Sequence, residues 1–269
     1  MKQPKRIFLT GASAGIGRAT AKLLIARGHE VWGTSRDPLR LNDLPALHPI
    51  RLDLNDHGSI TEAFDTALKE AEHFDVVINN AGGGHFGAAE FLSPEIIQEQ
   101  FQTLVFAQIE LCRLALRDMR RQGGGLIINV TSLASRLPVP FMAAYNASKA
   151  AMASYTMSLQ LELAGPIRVV DLQPGDIRTN FNDKVIRSGP GDSPYDVSSA
   201  RAWKTVDHNM KTAPEPELVA VRIADLIEDA DPPPRVTVGD LKQAIVAPLI
   251  FRFLPQTIRL WGLKKYYKL

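Results

Sequence analysis

Residues 7–17 read IFLTGASAGIG, and this stretch decides the first unit of the fold. Its apolar start predicts a short buried strand, and residues 18–27 have the apolar spacing of a helix that Gly28 ends. A second strand is predicted at 31–33. The resulting βαβ unit can hold a phosphate in its turn, because glycines let the backbone approach and the helix start offers free N–H groups. A purely structural glycine turn is the alternative.

The end of the second predicted strand indicates which dinucleotide would bind. An acidic residue at this point binds the 2′-hydroxyl of the adenosine ribose, whereas an arginine accommodates a 2′-phosphate. Thr34, Ser35 and Arg36 come first here, and Asp37 follows one residue later. The first charged residue after the second predicted strand is therefore the basic Arg36, which favours NADP over NAD as the cofactor.

The rest of the chain alternates predicted strands and helices without an internal repeat. This alternation predicts an α/β fold: one single-domain, Rossmann-like, doubly wound parallel sheet with helices on both faces, spanning residues 1–269. Further strands are predicted at 50–54, 75–78, 126–130, 167–172 and 235–238, and helices at 59–72, 94–121 and 215–229. Residues 82–87 are glycine-rich and are expected to form a loop with little backbone restraint.

Ser132, Tyr145 and Lys149 form the candidate catalytic group. Ser132 follows the predicted strand at 126–130, and Tyr145 and Lys149 are spaced i, i+4, which places both on one face of a helix. A free phenol is a poor acid at neutral pH, and a neighbouring ammonium would lower its pKa toward the working range. A tyrosine and a lysine at this spacing are common by chance, so the rest of the chain must support the assignment.

Composition and charge argue against several classes of protein. The 31 basic and 29 acidic side chains give a net charge of +2, which disfavours a nucleic-acid binder. The single cysteine, Cys112, rules out an internal disulfide and fits a reducing compartment, and its apolar neighbours predict a place in the core. No signal peptide is recognised at the basic N-terminus, so we expect a cytoplasmic protein. The six histidines lack metal-binding spacing, so no metal site is expected, and His85 is a candidate for substrate contact.

Two segments stand apart from the alternating pattern. Residues 180–214 show no clear period and are predicted to be a substrate loop or lid, with a loop that makes no ligand contact as the alternative. Residues 241–269 mix large apolar and basic side chains, and their longest uncharged run has nine residues, against the 17–25 needed to span a bilayer. This C-terminal segment is expected either to pack on its own domain or subunit, or to lie on a membrane surface.

The chain resembles the short-chain dehydrogenase/reductase superfamily over nearly its whole length. The resemblance rests on six motifs in the expected order and spacing, and within the superfamily the chain looks most like the branch of 17β-hydroxysteroid dehydrogenase type 1 and the retinol dehydrogenases. The motifs are the glycines of residues 10–17, Asp53-Leu54, Asn79-Asn80-Ala81-Gly82, Asn129-Val130-Thr131-Ser132, Tyr145 with Lys149, and Pro174-Gly175.

The resemblance implies roles for the matching positions. Tyr145 would be the general acid or base, Lys149 would tune it and bind the nicotinamide ribose, and Ser132 would hold the carbonyl. The remaining positions would contact the cofactor: Gly11, Ser13, Gly15, Ile16, Gly17, Ser35, Arg36, Asp53, Leu54, Asn80, Ala81, Gly82, Pro174, Gly175, Ile177 and Thr179, together with Tyr145 and Lys149. A homodimer or homotetramer, formed through two long helices, is also implied.

One position departs from the family pattern. Family members usually carry an asparagine in the long helix after Asn-Asn-Ala-Gly, where it helps a water relay protons to the lysine, and this chain has Leu104 there. A leucine side chain cannot hydrogen-bond a water, so Gln108, a backbone carbonyl or no relay at all would replace it.

The expected function is NADP(H)-dependent interconversion of a ketone or aldehyde with an alcohol on a hydrophobic substrate such as a steroid, retinoid or lipid. Two alternatives remain open: a non-catalytic, NADP-binding redox sensor, and a nucleotide-sugar epimerase or dehydratase of the same superfamily.

Overall fold

The computed structural model describes residues 3–189 and 191–269. Its main sheet has seven parallel strands in the order β3-β2-β1-β4-β6-β7-β9, which confirms the predicted doubly wound α/β fold. The strands are β1 (Arg6–Leu9), β2 (Glu30–Ser35), β3 (Leu47–Arg51), β4 (Val76–Asn79), β5 (His85–Phe86), β6 (Gly125–Val130), β7 (Ile167–Pro174), β8 (Ile186–Arg187) and β9 (Arg235–Val238).

Helices cover both faces of this sheet. They are α1 (Gly15–Ala26), α2 (His57–Ala71), α3 (Pro94–Phe101), α4 (Ala107–Gln122), α5 (Ala143–Glu162), α6 (Phe181–Lys184), α7 (Asp196–Thr212), α8 (Glu217–Glu228), α9 (Ala247–Phe253) and α10 (Gln256–Tyr267). Side chains alternate along each strand, so β1 sends Ile7 and Leu9 into one core and Phe8 into the other. The first core includes residues of α1 and α8, and the second includes residues of α2, α4 and α5.

The carboxyl ends of the parallel strands gather the motif residues at one edge of the sheet. The strand order reverses between β1 and β4, and in sheets of this kind ligands bind in the crevice beside that reversal. The turn after β1, the turn after β4 and the segment after β6 therefore meet at one place.

Four predicted elements need correction. The third strand covers 47–51 and not 50–54, because the Asp53 carboxylate accepts a hydrogen bond from the Asn55 N–H and turns the chain. Residues 82–87 are not a free loop, because β5 pairs in parallel with β8. The predicted helix at 94–121 is divided into α3 and α4 by a π-helical turn at Gln102–Phe106. The fourth correction concerns residues 180–214, of which Pro190 lies outside the described residues.

Most of the 180–214 segment is ordered as α6, β8 and the 17-residue helix α7, and not as an irregular loop. Only Ala202 and Val206 of α7 are buried, and two buried positions make too weak a period to be recognised in the sequence. Residues 241–269 form a π-helical turn at Lys242–Val246 followed by α9 and α10, and we call residues 242–267 the C-terminal helical pair.

Candidate active site

The turn between β1 and α1 has the features of a phosphate cradle. Gly11 and Gly15 have positive φ angles of +73° and +52°, which favour glycine. A Cβ on Gly17 would lie 2.2 Å from the Gly11 carbonyl oxygen, so no other residue fits there. The N-cap residue of α1, Ala14, provides no side-chain hydrogen bond, and the first turn has no acidic residue, so the N–H groups at the helix start remain available for a pyrophosphate.

The Asn-Asn-Ala-Gly turn after β4 is fastened to this cradle. The Asn80 side chain donates to the Thr10 carbonyl oxygen at 2.9 Å, and the N–H groups of Asn80 and Ala81 donate to the Thr10 hydroxyl at 2.9 and 3.0 Å. Asn80 therefore holds the two turns together. Gly82, which follows, is exposed at the site.

The end of β2 leaves one free positive charge at the predicted ribose position. Arg36 is exposed and takes part in no hydrogen bond or ion pair shown among the described residues, whereas the Asp37 carboxylate accepts the Leu39 N–H and caps a short 3-10 helix. The Thr34 hydroxyl accepts the Gly11 N–H at 3.2 Å, so it supports the glycine turn. Ser35 and Arg36 remain as candidate ligands of a 2′-phosphate.

The residues expected around the adenine lie where β3 has ended. The Asp53 N–H donates to the Ser59 hydroxyl at 2.9 Å, and Leu54 is buried beneath this turn. Both residues stand at the same edge of the sheet as the cradle, although they do not line the large cavity described below.

Ser132 and α5 supply the candidate catalytic side chains. Ser132 follows β6, and its Oγ accepts the Ala134 N–H at 3.1 Å. Tyr145 and Lys149 lie on α5, with Lys149 Nζ 5.9 Å from the centroid of the Tyr145 ring. Lys149 Nζ also donates to the Val130 carbonyl oxygen at 2.8 Å, and its side chain is buried. The structure thus brings all three predicted residues into one cavity.

Burial dominates the ionisation of this group. It raises the pKa of Tyr145 to about 12, against the opposing hydrogen bond with Ser132. It also lowers the pKa of Lys149 to about 8, against the attraction of Asp171. The expected lowering of the Tyr145 pKa is therefore wrong for the protein alone, because desolvation of the phenol outweighs the hydrogen bond. Lys149 is instead the group that titrates near neutral pH.

The segment after β7 closes the site from the other side. Pro174, Gly175, Ile177 and Thr179 all line the cavity, and a Cβ on Gly15 would lie 3.2 Å from the Thr179 methyl group. The cradle and the Thr179 segment thus approach each other closely. Ile16, Asn80 and Gly82 line the same cavity, so predicted residues from five separate segments converge there.

The cavity has a volume of about 630 Å³ and is roofed by the C-terminal helical pair. Apolar side chains of this pair line it together with residues of α7. Gln243 ties the pair to the segment after β7: its side-chain amide donates to the Asp176 carboxylate at 2.6 Å and accepts the Asp176 N–H at 2.8 Å. The roof includes Val246, Ile250, Leu254, Ile258 and Tyr267.

Sequence reasoning did not assign four charged side chains of the cavity lining to the site, namely Asp176, Asp240, Lys242 and Arg259. Asp176 lies close enough to raise the pKa of Tyr145, and burial raises the pKa of its own carboxyl. Arg259 of α10 has a buried Nε without a hydrogen-bond partner among the described residues. The position of Asp176 next to Pro174-Gly175 could have identified it, whereas no sequence signal connects Arg259 with a site more than a hundred residues away.

Leu104 and its neighbours lie where the family resemblance implies a proton relay. Leu104 is fully buried in the π-helical turn, and its Cδ2 would lie 2.8 Å from a Cβ on Gly82. The Gln108 amide donates to the Ala81 carbonyl oxygen at 3.2 Å, and its own buried oxygen has no partner among the described residues. Gln108 therefore lies beside the Asn-Asn-Ala-Gly turn with one polar atom unused.

Two other sequence expectations concern histidine and cysteine. His85 is buried in β5 and is absent from the cavity lining, so the expected substrate contact is not supported. Cys112 is buried, as predicted, and burial raises the pKa of its thiol to about 12, which leaves it unreactive. In the described ranges 3–189 and 191–269, no group of three or more His, Cys, Asp and Glu side chains could hold a metal ion. The same ranges contain no helix with the length and apolarity needed to cross a bilayer.

Comparisons with known proteins agree with this geometry. Residues 5–188 match the short chain dehydrogenase family. The chain is 32% identical to the 3-ketodihydrosphingosine reductase of Bacteroides thetaiotaomicron over 268 residues, 98% of each chain. It is 29% identical to the NADPH-dependent 1-acyldihydroxyacetone phosphate reductase of Saccharomyces cerevisiae, over 99% of this chain and 93% of the other.

A solved structure shows the same architecture along the whole chain. The short-chain dehydrogenase from Streptomyces avermitilis superposes with a TM-score of 0.81 and 27% identity, covering 99% of this chain and 97% of that one. Members of this family are NAD(P)-binding oxidoreductases that act on small molecules and commonly form oligomers. The chain belongs to the short-chain dehydrogenase/reductase family.

Proposed function

We propose that the protein is an NADPH-dependent reductase of a keto group on a long-chain lipid. The observation that carries the proposal is the position of Ser132, Tyr145 and Lys149 in one cavity whose roof is the apolar C-terminal helical pair. A polar reacting end and an apolar wall suit a substrate with a carbonyl head and a hydrocarbon tail. The steroid and retinoid substrates expected from the sequence remain predictions.

NADP is supported over NAD by the charges at the end of β2. Arg36 is free to pair with a 2′-phosphate, while Asp37, the residue that would favour NAD, is engaged as a helix cap. The yeast relative is named as NADPH-dependent. The cradle at Gly11, Gly15 and Gly17 would hold the pyrophosphate, and the segment from Pro174 to Thr179 would hold the nicotinamide. When bound, the cofactor supplies the hydride.

The protein's own residues handle the carbonyl oxygen and its proton. The Ser132 hydroxyl holds the carbonyl oxygen, and the Tyr145 phenol donates its proton to that oxygen as the alcohol forms. With a pKa near 12, Tyr145 is fully protonated at neutral pH and is therefore ready for the reductive direction. The Lys149 ammonium stabilises the phenolate that remains, and this charge is present only below about pH 8.

The substrate class we favour is a long-chain amino ketone. The name of the Bacteroides relative contains such a compound, 3-ketodihydrosphingosine, whose amine is attached next to the ketone. Asp176 lies in the cavity lining near Tyr145, hydrogen-bonds to Gln243, and has no cation in its described hydrogen bonds or ion pairs. Its carboxylate could pair with the ammonium of a substrate whose carbonyl lies against Tyr145.

A second candidate substrate is a keto lipid that carries a phosphate. The yeast relative's name contains 1-acyldihydroxyacetone phosphate, and Arg259 presents a buried, unpartnered Nε to the same cavity. A guanidinium is well suited to phosphate oxygens.

NADPH oxidation with each lipid tests the proposal and separates the candidates. For the amino ketone, Asp176→Asn should raise KM at least about tenfold, the loss expected for a charge-assisted hydrogen bond, while Arg259→Gln has little effect. The reverse pattern would favour the phosphate lipid. Tight NADPH binding without oxidation by any ketone would favour the redox sensor, and turnover of nucleotide sugars without net NADPH consumption would favour the epimerase.

We also propose that the protein forms a homodimer or homotetramer through α4 and α5. Large apolar side chains are exposed on α5, namely Met157 and Leu161, and Phe106 is exposed at the end of the π-helical turn that leads into α4. Sedimentation of the protein and of Leu161→Glu tests this arrangement, because a buried carboxylate would dissociate the assembly and leave the monomer folded.

A further inference from the structure

The C-terminal helical pair, together with Leu241 just before it, carries an apolar stripe that faces solvent. Leu241, Ile245, Leu249 and Phe253 follow one another at i, i+4 spacing and are 74%, 53%, 49% and 68% exposed. None of the four lines the substrate cavity. Four large apolar residues in a row on one exposed helix face are uncommon in a soluble monomer and mark an interaction surface.

The opposite face of the same segment is already in use. Gln243, Val246, Ala247 and Ile250 line the cavity, so the segment separates the cavity from the stripe by the width of one helix. This segment therefore has apolar side chains on both faces, and the rest of the domain covers only the face toward the cavity.

Charge identifies the partner of the exposed stripe. Residues 241–269 contain six basic side chains, Lys242, Arg252, Arg259, Lys264, Lys265 and Lys268, and no acidic one. The chain has 31 basic and 29 acidic side chains in total, so residues 1–240 have 25 and 29 and carry a charge of −4, against +6 in the segment. Arg252 and Lys265 also lie over the exposed rings of Phe253 and Trp261, at 5.4 and 5.3 Å from the ring centroids.

We propose that the C-terminal helical pair docks on the surface of an anionic phospholipid bilayer. The apolar stripe would enter the headgroup region, and the exposed basic residues that do not line the cavity would pair with lipid phosphates, namely Arg252, Lys264, Lys265 and Lys268. A second copy of this chain fits the surface less well, because a symmetric dimer would place one +6 segment against another. The proposal does not depend on the reductase reaction, although docking would place the cavity roof against the source of a lipid substrate.

Co-sedimentation with vesicles tests the proposal directly. The full-length protein is mixed, without NADPH or substrate, with vesicles of phosphatidylcholine alone or of phosphatidylcholine containing one-third phosphatidylglycerol. We expect binding to the anionic vesicles that weakens as salt rises, and little binding to the neutral ones. Equal binding to both vesicle types, or no binding to either, would overturn the proposal.

Two variants separate the basic and apolar contributions. Lys264→Gln combined with Lys265→Gln should weaken binding about 30-fold, the effect of two surface lysines near an anionic membrane. Its control, Lys22→Gln combined with Lys69→Gln, removes the same charge from exposed positions on α1 and α2 and should bind like the parent. Identical affinities for the two double variants would contradict a localised basic surface.

Leu249→Gln combined with Phe253→Gln should weaken binding about tenfold or more, because the stripe supplies the buried apolar area. The control, Leu218→Gln combined with Val221→Gln, replaces two exposed apolar residues of α8. Thermal unfolding of each variant verifies its fold, and sedimentation velocity reports its assembly. If the Leu249/Phe253 variant abolishes a dimer while the parent shows no preference for anionic vesicles, the surface belongs to a second copy and the proposal fails.

Discussion

Replacing Lys149 with methionine should make the protein without cofactor more stable at neutral pH. Lys149 is 4% exposed, and its Nζ has the Val130 carbonyl oxygen as its hydrogen-bond acceptor. Burial without a directly paired carboxylate lowers its pKa from 10.5 to about 8. Keeping Lys149 charged in the folded protein therefore lowers the free energy of unfolding. Methionine fills a similar volume without a charge.

The size and sign of this effect follow from the two pKa values. Each pKa unit corresponds to about 1.4 kcal/mol, so charging Lys149 lowers the free energy of unfolding by about 3 kcal/mol below pH 8. Between pH 8 and 10.5 the unfolded chain holds the proton and the folded protein does not, so the penalty disappears as pH rises. Loss of the hydrogen bond to Val130 opposes the gain by about 1 kcal/mol at every pH.

Lys149→Met should therefore be more stable than the parent by about 2 kcal/mol at pH 7, and less stable by about 1 kcal/mol above pH 10.5. Urea unfolding of both proteins at pH 7 and at about pH 11.5, without cofactor, measures the two differences. Lys149→Gln is a useful companion, since it keeps a hydrogen-bond donor without the charge. A difference between Lys149→Met and the parent that does not change with pH would refute the assignment of a strained, buried ammonium.

Two further predictions concern the cofactor and the proton relay. Arg36→Ala should raise KM for NADPH about 10- to 100-fold, because a charge-assisted pairing is lost, and should change KM for NADH little. Steady-state kinetics with both cofactors checks this. Equal effects on both KM values would show that Arg36 does not face the 2′-phosphate. Leu104→Asn should change turnover and the pH–rate profile but not the Kd for NADPH. The reason is that Leu104 lies beside Gly82, at the expected relay position, and not in the glycine cradle. A pH–rate profile that matches that of the parent would disprove a relay through this position.

The parallel sheet and the convergence of the motifs at one edge of it could be predicted from the sequence. Short apolar strands such as Ile7 to Leu9, followed by glycine turns, have a single consistent arrangement as a parallel sheet, and the motif residues follow the strand ends. Ser132, Tyr145 and Lys149 come together because β6 and α5 are consecutive elements packed on the same sheet.

Features that depend on long-range packing could not be predicted. Helix α7 has too few buried residues to show a period, and β5 exists only because β8 pairs with it from a hundred residues away. The direction of the Tyr145 pKa shift could not be predicted either, because it depends on how completely the surrounding residues exclude water. The roof formed by the C-terminal helical pair is a contact between distant segments, and only its composition was visible in advance.

The most direct measurement of the central claim is NADPH oxidation by the parent protein and by Tyr145→Phe, with 3-ketodihydrosphingosine as substrate and the product identified. Phenylalanine keeps the ring and its packing against Phe181 but removes the proton donor. The parent should convert the ketone to the alcohol with equal consumption of NADPH. Tyr145→Phe should bind NADPH normally and lose about 100-fold or more of the turnover, the usual contribution of a positioned acid. Equal turnover in both proteins would contradict the assignment of Tyr145 as the proton donor.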